Sequence, residues 1–470
     1  MGRRDARHGS RLAFWLPVLL VLALLGGAGT AYWLDRDQPD PDKDPEQVAP
    51  PPGLDLPPLT SPSPVAAAAA GAADPAKVRR ALAPLLRDPD LGPHLLATVA
   101  GLDGTPLFDR GDGAAIPAST LKLLTSAAAL ETMGPEQTFA TRVVTDAPRR
   151  IVLVGGGDPL LSSTRPERGD YPRRADVVTL ARATAAQLRA GGTTRVRLGY
   201  DATLFIGPDV SPNWPKTYIP DEVVAPIQSL WVDEGRPADG DGRVDDPAQA
   251  AATAFAKALA RSGIEVVGVP TPRSAGAGAT EVARVTSPPL SQIVEHTLLV
   301  SDNEAAEVLA RQVAVATGVP ATFADSADAV LDTVSGLGVP TGGATTYDGS
   351  GLSRDNLLAP DTLTGLLDVV GSPDHPALRA VLTGLPVAGF DGSLSQRFTE
   401  TADRAGRGSV RAKTGTLTGV SGLAGTVTDR TGTPMLFAVL ADDIALLDTL
   451  DARAALDSIA SALAACRCGV

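Results

Sequence analysis

Pro117-Ala118-Ser119-Thr120-Leu121-Lys122 opens a helical stretch that runs through Leu124, Ala128 and Leu130 to a stop at Gly134. Ser119 and Lys122 stand three residues apart, which puts both on one face of the first turn. Backbone N–H groups at a helix start lack intrahelical acceptors and carry partial positive charge. A serine there attacks a carbonyl beside donors for the developing negative charge, provided a base adjoins it. Lysine is such a base only when burial or another cation lowers its pKa.

The composition singles that lysine out. Of 41 Lys and Arg residues only six are lysine: Lys43, Lys77, Lys122, Lys216, Lys257 and Lys413. Arginine is the default cation here, and arginine cannot act as a base. Lys122 alone has a serine three residues before it, and Lys413 opens Lys413-Thr414-Gly415. A lone Ser-x-x-Lys reads equally as an exposed helix turn, so the assignment needs company.

Two further stretches supply it. Ser301-Asp302-Asn303 falls between helical periodicity over 293–299 and a helix from 304 to about 315. The second Ser-x-Asn, Ser211-Pro212-Asn213, sits in a proline-rich loop and is set aside. Lys413-Thr414-Gly415 ends a strand over 410–413, strands over 420–428 and 435–440 follow, and a helix over 445–464 closes the chain. These predict an antiparallel sheet backed by helices. Ser-x-x-Lys, Ser-Asp-Asn and Lys-Thr-Gly, in that order, mark class A β-lactamases and penicillin-binding proteins.

With Asp348-Gly-Ser-Gly-Leu-Ser353, Gly155-Gly-Gly-Asp-Pro159 and Phe390-Asp-Gly-Ser-Leu394, the chain resembles the D-alanyl-D-alanine carboxypeptidase/endopeptidases of peptidase family S13, which are low-molecular-mass penicillin-binding proteins. The resemblance covers roughly 76–470. It implies an α/β (α+β) fold: a β-lactamase/transpeptidase-like domain over 76–145 and 285–470, interrupted by a smaller α/β insertion over 146–284. The 178 residues between Lys122 and Ser301 leave room for it. The family implies that Ser119 attacks the carbonyl between two D-alanines while Lys122 takes its proton. Ser301 and Asn303 line the opposite wall, and Lys413 lowers the pKa of Lys122 and attracts the terminal carboxylate. Thr414, Gly415 and Thr416 bind substrate, and the Ser119 and Thr416 N–H groups form the oxyanion hole. The implied partners are peptidoglycan peptides ending in D-Ala-D-Ala, with β-lactams as covalent inhibitors. A class A β-lactamase would need a deacylating glutamate beyond Ser-Asp-Asn, and none occurs over 308–399.

The remaining features bound the setting. Net charge is −13 with no basic block past the N-terminus, which argues against nucleic acid. Arg3, Arg4, Arg7 and Arg11 precede the uncharged, apolar residues 12–34, which suit a membrane anchor with its N-terminus (1–11) inside and the body extracytoplasmic. The alternative is a cleaved leader and a secreted protein. Residues 35–75 are a proline- and alanine-rich linker. No cofactor is implied, His8, His94, His296 and His375 form no recognisable metal pair, and Cys466 and Cys468 read as a peripheral pair.

Overall fold

The computed structural model describes residues 72–237 and 240–470. Helices are α1 (Pro75–Leu82), α2 (Lys122–Met133), α3 (Val177–Ala190), α4 (Pro247–Arg261), α5 (Leu290–Val300), α6 (Asn303–Thr317), α7 (Phe323–Gly336), α8 (Pro360–Gly371), α9 (Ala380–Thr383) and α10 (Thr449–Ala465). Strands are β1 (Leu95–Ala100), β2 (Pro106–Arg110), β3 (Ala140–Ala147), β4 (Arg150–Val154), β5 (Arg195–Asp201), β6 (Glu265–Val266), β7 (Thr271–Pro272), β8 (Thr280–Thr286), β9 (Val410–Leu417), β10 (Val420–Thr428) and β11 (Pro434–Ala441). The expected mixed α/β fold is present.

One sheet has the order β2-β1-β11-β10-β9 and is antiparallel throughout. Its central strands β1 and β11 read as near-continuous apolar runs because both of their faces are covered. Leu95, Ala97 and Val99 of β1 and Met435, Phe437 and Val439 of β11 pack into one core with α1 and α10. The alternate residues, Leu96 and Ala100 with Leu436, Ala438 and Leu440, pack with α2, α5, α6, α7 and α8.

The second sheet has the order β6-β5-β4-β3-β8, with β7 also on β5. β3 and β8 border the stretch read as an insertion and pair antiparallel with each other. Val143, Ile151, Leu153, Val196, Leu198 and Tyr200 turn one face onto α3 and α4.

Several elements depart from the sequence reading. The Ser119 stretch starts as a 3-10 turn, Ala118–Leu121, and becomes α-helical only at Lys122. Lys413-Thr414-Gly415 lies inside β9, which continues to Leu417. The last helix begins at Thr449. Cys466 and Cys468 are joined as a disulfide. Among the described residues no helix is long and apolar enough to cross a membrane, and the apolar run at 12–34 and the linker up to residue 71 lie outside them.

Candidate active site

The turn that carries Ser119 is fixed from three sides. Thr120 donates its hydroxyl to Pro117 O at 2.7 Å, which tightens the turn. A methyl at Gly351 would lie 1.9 Å from Ala118 O, and one at Gly415 would lie 2.6 Å from Pro117 O. Both positions therefore need glycine to let backbone approach the turn. Gly351, with φ +84, also needs a left-handed backbone. The loop over 348–353 is built by Asp348, which accepts from Gly351 N, Ser353 N, Asn356 Nδ2 and Trp214 Nε1.

Three sequence motifs converge here. Lys122 Nζ donates to Ser119 Oγ at 2.9 Å, Asn303 Oδ1 at 2.8 Å and Ser350 O at 2.7 Å. Lys413 Nζ donates to Ser301 Oγ at 2.8 Å and Thr414 O at 2.9 Å. Ser301 holds a left-handed conformation, φ 61, between α5 and α6. Asp302 caps α6 by accepting from Ala305 N at 2.9 Å, so Asn303 starts the helix facing Lys122. The discarded Ser211/Asn213 pair closes on itself and on Asp355 instead.

Both lysines are fully buried, and among the described residues neither has a carboxylate within ion-pair distance. Burial lowers the Lys122 pKa to about 8, against the upward pull of Glu307, Asp348, Asp302 and Glu304. The sequence reading has Lys413 depress Lys122. In the structure desolvation is the leading cause, and the repulsion between the two ammonium groups, which is mutual, adds to it: Lys413 is held well below its ordinary value by burial and then by the Lys122 charge. A lysine so placed is able to lose its proton near neutrality, and a serine hydroxyl at 2.9 Å is in position to supply one.

β9 is the last strand of its sheet, and among the described residues its outer side pairs with the 386–388 stretch only as far as Ala412. Ala412 N bonds outward to Pro386 O, and by strand alternation Thr414 and Thr416 turn their backbone groups to that same side. Thr416 is exposed, while Thr414 is buried and shares a 2.9 Å hydrogen bond with Ser393. Sequence reasoning assigned no role to Ser393, Ser350, Glu307 or Val223, whose carbonyl accepts from Asn303 Nδ2 at 3.0 Å. Ser350 and Ser393 were at least inside quoted motifs. A backbone carbonyl such as that of Val223 leaves no mark in a sequence.

Glu234, His296 and Asp302 bring ligand-type atoms within 4.8 Å of one another. Glu234 is already ion-paired with Arg236 and, at 3.7 Å, with Arg174. The cluster is charge-balanced by arginine without calling for a cation.

An antiparallel sheet with Lys-Thr-Gly on its edge, over a helix opened by Ser-x-x-Lys and faced by Ser-Asp-Asn, defines a penicillin-recognising serine acyl-transfer protein. Comparison narrows the class. The family model for the D-Ala-D-Ala carboxypeptidase 3 (S13) family matches residues 78–239 and 236–463, and the chain belongs to that family. It is 38% identical over 405 residues to a carboxypeptidase of Mycobacterium tuberculosis, covering 84% of this chain and 85% of that one. It is 37% identical over 476 residues to a carboxypeptidase of Mycolicibacterium smegmatis, covering 98% of each. The fold is similar to the crystal structure of penicillin binding protein 4 from Haemophilus influenzae, with TM-score 0.64 and 20% identity over 79% of this chain and 93% of that one.

Proposed function

We propose that this chain is a serine-type D-Ala-D-Ala carboxypeptidase that acts on peptidoglycan stem peptides and is acylated by penicillins at Ser119. One observation carries the residue assignment: a fully buried lysine without a carboxylate partner donates to the one serine at the start of α2. Lys122, as the neutral amine, takes the Ser119 proton while Oγ bonds to the carbonyl carbon between the two D-alanines. The N–H groups of Ser119 and Thr416 receive the oxyanion. The C–N bond then breaks, and the terminal D-alanine leaves with the proton, relayed through Ser301. Asn303 holds the substrate amide against Lys122. Lys413, with Thr414 and Thr416, binds the terminal carboxylate, the first anion offered to that buried ammonium. Water completes the turnover. With the Lys122 pKa at about 8, the neutral base grows as pH rises, and roughly a tenth of it is present at pH 7.

A fluorescent penicillin should label the protein covalently on Ser119, and purified muropeptides should lose one terminal D-alanine, read by mass. Labelling that survives Ser119→Ala overturns the nucleophile. Products of cleaved cross-links would add an endopeptidase activity.

The reading includes a setting outside the cytoplasm, tethered through residues 12–34, supported by their uncharged run and the arginines before it. Full-length protein should stay with membranes. Soluble protein starting near residue 31 would show a cleaved leader instead.

A further inference from the structure

Four carboxylates act on Lys122: Glu307, Asp348, Asp302 and Glu304. Three have other duties. Asp302 caps α6 and faces His296 at 3.5 Å. Glu304 pairs with Arg243 at 3.1 Å and accepts from Ala225 N. Asp348 organises its loop through four donors. Glu307 is different. It is 1% exposed and, among the described residues, has no cation within ion-pair distance. Its carboxylate accepts from Gly349 N and Ser350 N, the latter at 2.8 Å. Arg311, one turn along α6, donates instead to the carbonyls of Ile206, Pro208 and Ala321 and stacks on Phe323 at 4.0 Å.

A carboxylate buried without a cation is costly, and an apolar residue of similar size would fill the space more cheaply. What the carboxylate holds explains its presence. Ser350 presents its N–H to Glu307 and its C=O to Lys122 Nζ at 2.7 Å. The neighbouring Gly349 O is fixed by Thr125 Oγ1 at 2.6 Å. Glu307 therefore reaches the base through Ser350, a single residue of the glycine-rich turn.

We propose that Glu307 is a positioning residue for the general base: it fixes the Gly349–Ser350 turn so that Ser350 O holds Lys122 against Ser119. The proposal rests on Lys122 being the base. Burial alone would take Lys122 lower than about 8, and Glu307 is the foremost group raising it. The groups that bear on Lys122 are those four acids and Lys413, and those that bear on Glu307 are Asp348, Arg311 and Lys122. Burial and then Asp348 raise Glu307 itself to about 7, so its charge is present mainly above that pH, and removing that charge lowers the Lys122 pKa. The acid limb of the acylation profile then moves to lower pH.

The test is the second-order rate of penicillin acylation of the full-length protein from about pH 5 to 10. Glu307→Gln keeps one acceptor oxygen for both N–H groups and removes the charge. Its limb should move down by about one pH unit or more, with the plateau within about tenfold of wild type. Glu307→Leu keeps neither and should lose about 10²-fold of plateau rate, as a misplaced base does. An unmoved limb in the glutamine variant, or a wild-type plateau in the leucine variant, overturns the proposal. Should the glutamine variant not fold, Glu307→Asp keeps the charge but shortens the reach. Its limb should stay while its plateau falls, and a wild-type plateau again overturns the role. Lys122→Arg, run alongside, separates the two ideas. If it acylates like wild type, the base assignment itself is wrong. If it is dead while Glu307→Gln is unshifted, only the Glu307 role is lost.

Discussion

The two sheets use strands of similar length to different ends. The five-stranded sheet is covered on both faces, and its edge, β9, carries Lys413, Thr414 and Thr416. The six-stranded sheet buries one face on α3 and α4, while Arg142, Arg195 and Arg197 point into solvent. The first sheet has no room to yield: its glycines touch the nucleophile turn, and its core lies on either side of the motif strands. Among the described residues the second meets the site through the long loop after β5, where Val223 O receives Asn303 and Trp214 donates to Asp348. Chemistry is thus concentrated where packing fixes the backbone from two sides, and the half-covered sheet adds a wall.

The sharpest test of this concentration lies in the two buried lysines. They share a charge and a burial but differ in partners: Ser119 for one, Ser301 for the other. Arginine stays protonated at any working pH. Lys122→Arg should therefore lose the roughly 10²–10⁴-fold typical of a missing general base, with no recovery as pH rises through about 8. Lys413→Arg keeps a cation for the carboxylate and should retain measurable acylation. Equal rates for the two arginine variants would mean that Lys122 is not the base.

What the sequence revealed follows the same division. The motif elements were legible because each announces itself locally: a serine and lysine one turn apart, a Ser-Asp-Asn junction between two helical runs, an apolar strand into Lys-Thr-Gly. α7 was not read, although Phe323, Ala327, Val330 and Val334 form its buried stripe and Asp328 and Asp332 its exposed side. β8 was not read either, because Thr-Glu-Val-Ala-Arg-Val-Thr is largely exposed at the sheet edge and lacks a strong apolar alternation. Within the site, the motifs gave the side chains that meet. They could not give Glu307, which acts through the backbone of Ser350, because contacts between α6 and the 348–353 loop are set by the tertiary fold. Nor could they show that burial is the leading cause of the lowered Lys122 pKa, since desolvation depends on how much protein surrounds the amine.

The smallest expected effect on chemistry comes from breaking the second sheet's core. Phe255 of α4 is fully buried against β4 and β5 residues and contacts none of the motif side chains through hydrogen bonds. Phe255→Ala should destabilise that core by about 3–5 kcal/mol, the usual cost of deleting a buried phenyl ring. Thermal unfolding should show the loss, as a lower first transition if the two sheets melt separately. Acylation per folded molecule should stay within about twofold of wild type below that transition, because the Ser119 turn is fixed by Gly351, Gly415 and the five-stranded sheet. A large fall in acylation of the folded variant would break the comparison. It would mean that the half-covered sheet holds the Val223 and Trp214 contacts in place so tightly that the site is built by both halves together.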